Sequence, residues 1–326
     1  MTAIVESWPV QGSFNIARGA KAQVDVVVAA VRQDGNLGMG EATPIYYRGE
    51  NAGNCLAQIE AVRDRLKAEA SPAAARHTLQ GLLPAGAARA AIDAALWELE
   101  AKAADRPVWQ LAGLASAPRP LPTAFTISLG PPADMEAAAR QAAANGYSLL
   151  KLKLTGEGDQ ARVTAVHRGA PDARLIVDAN ESWREQDVES EAAALVNLGV
   201  EMIEQPLPDG ADHALGGITA ACPIFADESC HSAADIPALA TRYDGVNIKL
   251  DKAGGLTEAL KIAAAAHAHD MQLMVGCMLC TSLGIAPAFL MAQMADYVDL
   301  DGPALLARDR EDNAFRYADG IVFPPG

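Results

Sequence analysis

Hydrophobic and polar positions alternate along the first 43 residues. The clearest run covers residues 23–31, which read QVDVVVAAV, and it closes on Gln33-Asp34-Gly35-Asn36. Alternation with a period of two that ends on Asp-Gly is typical of antiparallel strands joined by a tight turn. The N-terminal part of the chain therefore predicts a small antiparallel sheet.

Helical periodicity replaces this alternation after the first 50 residues. Segments 53–70 and 87–104 are rich in Ala and Leu, with apolar positions three and four apart, and Asp93 and Trp97 share one face of the second segment. Such spacing is typical of amphipathic helices. Sheet and helices together predict an α+β domain over residues 1–116, which ends at a Pro-rich break, APRPLP.

Beyond residue 117 the chain repeats a short apolar strand, a turn and an Ala-rich amphipathic segment. Eight candidate strands follow in order: FTISL, LLKLKL, RLIVDAN, EMIEQP, PIFADES, GVNIKL, QLMVG and YVDLD. Eight such strands, most of them separated by helical segments, fit a closed barrel better than an open sheet. We expect this barrel to cover residues 117–310 and the short tail, 311–326, to complete the N-terminal domain.

Composition and charge exclude several classes of partner. The chain has 326 residues, 50% of them hydrophobic, and a formal net charge of −15. A field of this sign repels phosphate backbones and anionic lipid headgroups, so neither nucleic acid nor a membrane is an expected partner. The uncharged stretch between Asp270 and Asp296 contains Gln272, Pro287 and Gln293, and it is better interpreted as buried core than as a membrane span.

The number of cysteines and the N-terminal residues indicate the cellular compartment of the protein. Five cysteines is an odd number in a chain large enough to fold without disulfides, which favours free thiols and a reducing compartment. The N-terminal residues MTAIVESWPVQG lack the basic and apolar regions of a signal peptide. We therefore expect a cytoplasmic protein.

Charged residues end most of the apolar strands. The residues in question are Lys151, Lys153, Asp178, Glu204, Asp227, Lys249, Asp299 and Asp301. Successive members from Lys153 to Lys249 are between 22 and 26 residues apart. Because the C-terminal ends of barrel strands meet on one face, this spacing predicts a single site that collects all of these side chains.

The residue types predict the chemistry of that site. Three carboxylates from adjacent strands form an oxygen-only donor set that suits Mg²⁺. Lysines precede and follow these acids in the chain, so two bases could face each other across a substrate and invert a stereocentre. Lys151 and Lys153 lie on one face of a strand, and we expect their repulsion to lower the pKa of one of them, as a general base requires.

The same segments resemble a known family. KLKL, VDAN, EQPLP, ADES and NIKLDKAGG occur in the order and spacing of the muconate-lactonising subgroup of the enolase superfamily. VDLDGP at 298–303 and FNIARGAK at 14–21 resemble the Asp-x-Asp motif and the specificity loop of its dipeptide epimerases. The likeness runs nearly end to end. It implies an α/β fold, a modified (β/α)7β TIM barrel with an N-terminal α+β capping domain.

The resemblance also implies an activity. It would be the Mg²⁺-dependent epimerisation of a dipeptide such as L-Ala-L-Glu or L-Ala-D-Glu at the α-carbon of its C-terminal residue, through an enediolate, in murein peptide recycling. The metal ligands implied are Asp178, Glu204 and Asp227. The implied acid/base catalysts are Lys153 and Lys249, with Lys151 as an electrostatic helper.

Two further sets of residues are implied for binding the substrate. Asp299 and Asp301, two apart on a strand, would pair with the α-ammonium group of the dipeptide. Arg18 or Lys21 in the capping loop would bind the side-chain carboxylate of the substrate Glu. The segment Tyr46-Tyr47-Arg48 forms either a second lid loop or ordinary surface.

Other functions remain open at this point. An o-succinylbenzoate synthase or N-acylamino acid racemase would share the lysines and the metal ligands, although Asp299 and Asp301 would then lack an ammonium partner. An acid-sugar dehydratase fits less well, because Gly276 and Cys277 stand where a base His is expected. A non-catalytic barrel would leave the lysines and acids without a purpose.

A nicotinamide-dependent oxidoreductase is the alternative from a different class. The turn GEGDQA at 156–161 follows a strand and opens a helix, as a dinucleotide fingerprint does. Its acids, Glu157 and Asp159, would repel a pyrophosphate. Cys277-Met278-Leu279-Cys280 has zinc or redox spacing but no second pair, so we interpret it as two buried or mouth-lining thiols.

Overall fold

The computed structural model describes residues 1–16, 19–311 and 315–324, except for the side chain of Ser13. The strands are β1 Thr2–Ile16, β2 Gly19–Gln33, β3 Asn36–Ala42, β4 Leu121–Pro122, β5 Phe125–Ile127, β6 Leu149–Lys153, β7 Arg174–Asp178, β8 Val200–Glu204, β9 Ile224–Ala226, β10 Gly245–Lys249, β11 Gln272–Gly276, β12 Tyr297–Asp299, β13 Arg316–Ala318 and β14 Ile321–Phe323. The helices are α1 Ala52–Lys67, α2 Pro72–Leu82, α3 Ala87–Ala104, α4 Val108–Leu111, α5 Pro132–Ala144, α6 Asp159–Gly169, α7 Val188–Val196, α8 Ile236–Leu239, α9 Leu250–Ala253, α10 Leu256–Ala268 and α11 Ser282–Ala292.

The predicted N-terminal sheet is confirmed. Strands β1, β2 and β3 form an antiparallel sheet in that order. The turn between β2 and β3 has positive φ at Asp34 (50°) and Gly35 (83°), as expected for a tight hairpin. Helix α3 packs directly on β3, where Gly40 leaves no room for a side chain: a Cβ there would lie 2.3 Å from the carbonyl oxygen of Ala91.

The helices of this domain follow the predicted pattern with one addition. The predicted segments correspond to α1 and α3, while α2 begins after Ser71, whose hydroxyl accepts a hydrogen bond from the Ala74 amide as an N-cap. On α3, Asp93 accepts hydrogen bonds from Thr257, and Trp97 donates one to the Thr257 hydroxyl. The shared face of this helix therefore binds the start of α10.

All eight predicted strands are present in one parallel sheet, ordered β5-β6-β7-β8-β9-β10-β11-β12. Just before β5, the Ala124 amide donates to the Val298 carbonyl of β12 (2.8 Å), which brings the two edges of the sheet together. Helices cover the outside, except that a short 3-10 turn at His213–Gly217 replaces an α-helix between β8 and β9. The fold is thus the modified β/α barrel with an N-terminal capping domain that was expected.

Alternate residues of the barrel strands contribute to two different cores, one between the sheet and the helices and one inside the barrel. On β6, Leu150 and Leu152 face outward and join the large core between sheet and helices. Leu149 faces inward and packs with Ile176, Met202 and four other residues in the bottom of the barrel. Because the period of a strand is two, Lys151 and Lys153 also face inward, above this apolar layer.

The C-terminal tail forms a small sheet of its own. Strands β13 and β14 pair antiparallel, and β14 continues onto β4 at Leu121 and Pro122. Val322 of β14 is fully buried in the core of the barrel. The assignment of this tail to the capping domain, and the boundary at residue 116, stay predictions.

The uncharged stretch after Asp270 belongs to the barrel, as predicted, and does not form one continuous apolar helix. It forms β11, a loop and α11. Among the residues that the structure describes, no helix is both long and apolar enough to cross a membrane.

Candidate active site

The charged residues that end the strands meet at one end of the barrel. Parallel register places Lys153 of β6 opposite Asp178 of β7, and Asp178 opposite Glu204 of β8. Asp227 follows β9 directly, and Lys249 ends β10. These side chains are almost completely removed from solvent, since the most exposed residue among them, Lys153, is 8% exposed.

Asp178, Glu204 and Asp227 form a compact group of carboxylates. One oxygen from each lies within 4.8 Å of the others, and all three residues are buried. Close, buried carboxylates repel one another unless cations compensate them. An oxygen-only donor set of this size fits a hard divalent cation such as Mg²⁺.

The pKa values of these acids reflect their neighbours. Burial and the nearby Asp178 charge raise the pKa of Glu204 to about 7. Burial acts on Asp178 in the same direction, but Lys153 and Lys151 outweigh it and hold its pKa at about 2. Against the same opposing effect of burial, Lys249 and Lys252 hold the pKa of Asp227 well below its usual range.

Lys151 lies at the centre of these acids. Its Nζ is 2.6 Å from Glu204 Oε2, 2.9 Å from Asp299 Oδ2 and 3.4 Å from Asp178 Oδ2. Burial tends to lower its pKa, but these acids, Asp299 foremost, raise it well above the ordinary value. The lowering that we expected from repulsion between the two lysines of β6 is therefore wrong for Lys151, because the acids across the barrel outweigh that repulsion.

Lys153 and Lys249 lie on opposite sides of the barrel. Their strands, β6 and β10, are four places apart in a sheet of eight, which is half of the circumference. Lys153 Nζ is 2.6 Å from Asp178 Oδ2, and Lys249 Nζ is 2.6 Å from Asp227 Oδ2. Both lysines line the same cavity. Two amines can thus reach a molecule in this cavity from opposite faces.

Asp299 ends β12, Asp301 follows two residues later, beyond the strand, and both line this cavity. The amide of Thr126 donates to Asp301 Oδ2 (2.6 Å), and Lys151 donates to Asp299 Oδ2. Asp299 Oδ1 is buried and has no hydrogen-bond partner among the described residues. Burial, together with the charge of Asp299, raises the pKa of Asp301 to about 7. A cationic ligand placed here would satisfy both acids.

Residues of the N-terminal domain close the cavity. Phe14, Lys21, Tyr46 and Tyr47 contribute to its wall. Lys21 Nζ lies 4.0 Å from the centre of the Tyr46 ring, and burial lowers the pKa of this lysine. Arg18, the other cation proposed for the capping loop, lies outside the described residues.

Sequence reasoning missed two polar residues next to the carboxylates. Lys252 of α9 is 1% exposed and contacts Asp227, while Asn247 of β10 donates to Glu204 Oε1 (2.7 Å). Both belong to the segment NIKLDKAGG that was singled out for Lys249. Asn247 could have been found from its position, because it shares the inward face of its strand with Lys249.

The turn at 156–161 is occupied by its own acid. Asp159 accepts hydrogen bonds from the amides of Thr155 (3.1 Å) and Gly156 (2.8 Å), and from the indole of Trp183 (3.1 Å). These amides are therefore not free to bind a pyrophosphate, which removes the physical basis of the dinucleotide interpretation. Of the two thiols in the 277–280 segment, Cys277 lines the cavity and Cys280 is buried, as expected.

The chain is similar in sequence to known families and to proteins of known activity. Residues 1–113 match the family described as mandelate racemase / muconate lactonizing enzyme, N-terminal domain, and residues 134–326 match enolase C-terminal domain-like. An L-Ala-D/L-Glu epimerase of Escherichia coli (strain K12) is 44% identical over 306 residues, covering 94% of both chains.

Two further similar proteins are a racemase of an N-acetylated amino acid and a solved structure with a bound dipeptide. An N-acetyl-D-glutamate racemase of a Pseudoalteromonas species is 47% identical over 242 residues, covering 74% of this chain and 75% of that protein. A solved enolase family member from Agrobacterium tumefaciens, with homology to dipeptide epimerases and described with bound sodium and L-Ala-L-Glu, is 44% identical. Its TM-score is 0.94, and the match covers 100% of this chain and 97% of that one.

Proposed function

The chain belongs to the mandelate racemase / muconate lactonizing enzyme group of the enolase superfamily, and we propose that it is a dipeptide epimerase acting on L-Ala-L-Glu and L-Ala-D-Glu. One observation carries this proposal: Lys153 and Lys249 line one cavity from opposite sides of the barrel, next to three clustered carboxylates. Two bases on opposite faces of a carbon can invert it by removing a proton on one side and delivering one on the other.

The two lysines divide the work of proton transfer. One neutral amine removes the α-proton of the C-terminal residue, and the other ammonium group delivers a proton to the opposite face. Asp178 and Asp227 lie 2.6 Å from the two amines and orient them toward the cavity. Since either lysine can take either part, the reaction runs in both directions.

Asp178, Glu204 and Asp227 would hold Mg²⁺. Bound there, the cation would supply positive charge for the carboxylate of the substrate, whose negative charge increases as the α-proton leaves. Lys151 adds a fixed positive charge to the same region, because its Nζ contacts three acids and cannot reach solvent.

The binding of a dipeptide would use the two ends of the cavity. Asp299 and Asp301 would receive the α-ammonium group, which Asp299 Oδ1 can accept without losing another bond. Lys21, which lines the cavity from the N-terminal domain, would attract the side-chain carboxylate of Glu. Arg18 remains the alternative cation. Such dipeptides arise from cell-wall peptides, so the corresponding role is murein peptide recycling in the cytoplasm.

Racemisation of an N-acylamino acid is a second candidate. The 47% identity to an N-acetyl-D-glutamate racemase favours it. An acylated nitrogen carries no positive charge, however, so Asp299 and Asp301 would stay buried next to a neutral group, which is costly. We therefore rank the dipeptide first, and the comparison of L-Ala-L-Glu with N-acetylglutamate distinguishes the two candidates directly.

Substitution of the two lysines tests the proposal. Lys153→Ala and Lys249→Ala should each abolish the epimerisation of L-Ala-L-Glu, followed by chiral chromatography, while the protein still folds and binds Mg²⁺. Lys261→Ala is the matched control, because Lys261 lies on α10 with 56% of its side chain exposed. Turnover that persists in either active-site variant would reassign the base.

A further inference from the structure

Lys252 is a buried cation to which the proposed reaction gives no task. It lies in α9, three residues after Lys249, and is 1% exposed. Its Nζ donates to Asp227 Oδ1 (2.8 Å), to the carbonyl oxygen of Asp227 and to that of Asn247 (3.2 Å). An ammonium group has three hydrogens to donate, and here each has an acceptor.

The two oxygens of Asp227 have different neighbours. Lys252 binds Oδ1, whereas Lys249 binds Oδ2 at 2.6 Å. Lys249 lines the cavity and Lys252 does not. Lys252 therefore approaches the carboxylate from outside the cavity, and its bond directs the other oxygen inward. A buried ammonium with no access to the cavity cannot exchange protons with a substrate there.

Asn247 acts on a second carboxylate of the group. Its Nδ2 donates to Glu204 Oε1 (2.7 Å), and its main-chain carbonyl oxygen accepts the hydrogen bond from Lys252. The short segment 247–252 thus fixes one oxygen of Glu204 and one of Asp227. These acids come from the two preceding strands, β8 and β9.

We propose that Lys252, supported by Asn247, is a positioning residue for Asp227. It holds Oδ1 from the side away from the cavity, so that Oδ2 stays directed at Lys249 and the carboxylate keeps the orientation in which it would help to hold a divalent cation. Its positive charge also offsets the negative charge of Asp227. The part of the inference that concerns Lys249 rests on the proposed function, whereas the part that concerns cation binding does not.

Cation affinity is the first test. Lys252→Met keeps the unbranched side chain, one atom shorter, and removes its charge and donors. We expect the Kd for Mn²⁺, measured by electron paramagnetic resonance without substrate, to rise ~10- to 100-fold, as is usual when a residue that orients a metal ligand is lost. Lys252→Arg, which retains a cation, should recover part of the affinity. Lys261→Met on exposed α10 should bind Mn²⁺ like the wild type.

Asn247→Ala keeps the test informative if Lys252→Met does not fold. This variant removes only the bond to Glu204 Oε1 and should also weaken Mn²⁺ binding, by a smaller factor. Each variant is compared with the wild type by near-ultraviolet circular dichroism, so that an altered fold is recognised. A folded Lys252→Met protein that binds Mn²⁺ as tightly as the wild type would overturn the inference.

Deuterium exchange with each of the two epimers gives a second readout. A general loss of structure would reduce exchange equally with both epimers, whereas the role given to Lys252 predicts an unequal reduction. Lys252 contacts Asp227, the partner of Lys249, and not Asp178, the partner of Lys153. At saturating Mg²⁺ in D2O, the variant should therefore lose deuterium incorporation more strongly with one epimer of the dipeptide than with the other.

The outcomes separate the two proposals. An equal loss with both epimers would show that Lys252 supports the site as a whole and would contradict the specific role given to it. If the wild type exchanges neither epimer, the proposed function fails, but the Mn²⁺ comparison still decides the role of Lys252.

Discussion

Removal of the charge of Lys151 should destabilise the protein in a way that depends on pH and on metal. Lys151→Met keeps an unbranched side chain that is one atom shorter, and it takes away the cation that lies 2.6 Å from Glu204, 2.9 Å from Asp299 and 3.4 Å from Asp178. All of these groups are buried, with Lys151 itself 1% exposed. The acids would then repel one another without the counter-charge at their centre.

The expected magnitude follows from burial. Loss of one partner from a buried ion pair costs ~3–5 kcal/mol. A proton can replace part of the lost charge, because the pKa of Glu204 is already raised to about 7 and would rise further. An acid whose pKa is raised in the folded state takes up a proton on folding, so its contribution favours folding at low pH and is lost as the pH rises through that pKa. The wild type takes up the same proton near pH 7, so the penalty in the variant should fall by up to about 1.4 kcal/mol for each pH unit as the pH drops toward 7, for one proton, and stay constant below that pH.

Urea unfolding at pH 6 and pH 8, with and without Mg²⁺, measures this effect. We expect the full penalty at pH 8 without metal, and a smaller one at pH 6 or in saturating Mg²⁺, because either a proton or the cation supplies the missing charge. Lys261→Met should stay within about 0.5 kcal/mol of the wild type in every condition. A Lys151→Met penalty below about 1 kcal/mol, or one that changes with neither pH nor Mg²⁺, would refute the electrostatic account of the site.

Three other predictions follow from the same geometry. Asp299→Asn should raise KM for L-Ala-L-Glu by ~10- to 100-fold, since it removes one charge-assisted bond, and it should affect N-acetylglutamate less, through the weakened Lys151–Asp299 pair alone; an equal change for both substrates would contradict its role. Mg²⁺ affinity, measured by calorimetry, should fall as the pH drops below about 7, where Glu204 takes up a proton, and a pH-independent affinity would exclude Glu204 as a ligand. Gly302→Ala should destabilise the protein by ~1–3 kcal/mol in urea unfolding, because its Cβ would lie 2.7 Å from the Met278 carbonyl oxygen, whereas an unchanged stability would show that this loop shifts freely.

The sequence predicted the barrel and the meeting of its strand ends because both depend on local pattern. Period-two alternation sets which residues face inward, and parallel connections place all C-terminal strand ends at one edge. These two rules bring Lys153, Asp178 and Glu204 side by side without knowledge of a single contact. Free thiols also agree with the expectation, since all five cysteines are unpaired.

What the sequence missed depends on contacts between distant segments. Lys252 follows the end of its strand, so strand alternation could not place it against Asp227. The Thr126 amide that binds Asp301 is a backbone group 175 residues away, which no side-chain pattern reveals. The pKa lowering expected for one of the two lysines of β6 does not occur at Lys151, because the strand pattern contains no information on the acids across the barrel.

Deuterium exchange tests the central claim most directly. A library of dipeptides, with N-acetylated amino acids included, is incubated with the purified protein and Mg²⁺ in D2O and analysed by mass spectrometry. We predict that L-Ala-L-Glu and L-Ala-D-Glu each gain one deuteron at the α-carbon of the C-terminal residue and interconvert. Exchange restricted to N-acylamino acids would contradict the roles of Asp299 and Asp301, and an epimer formed at full rate without deuterium would contradict the two-base mechanism itself.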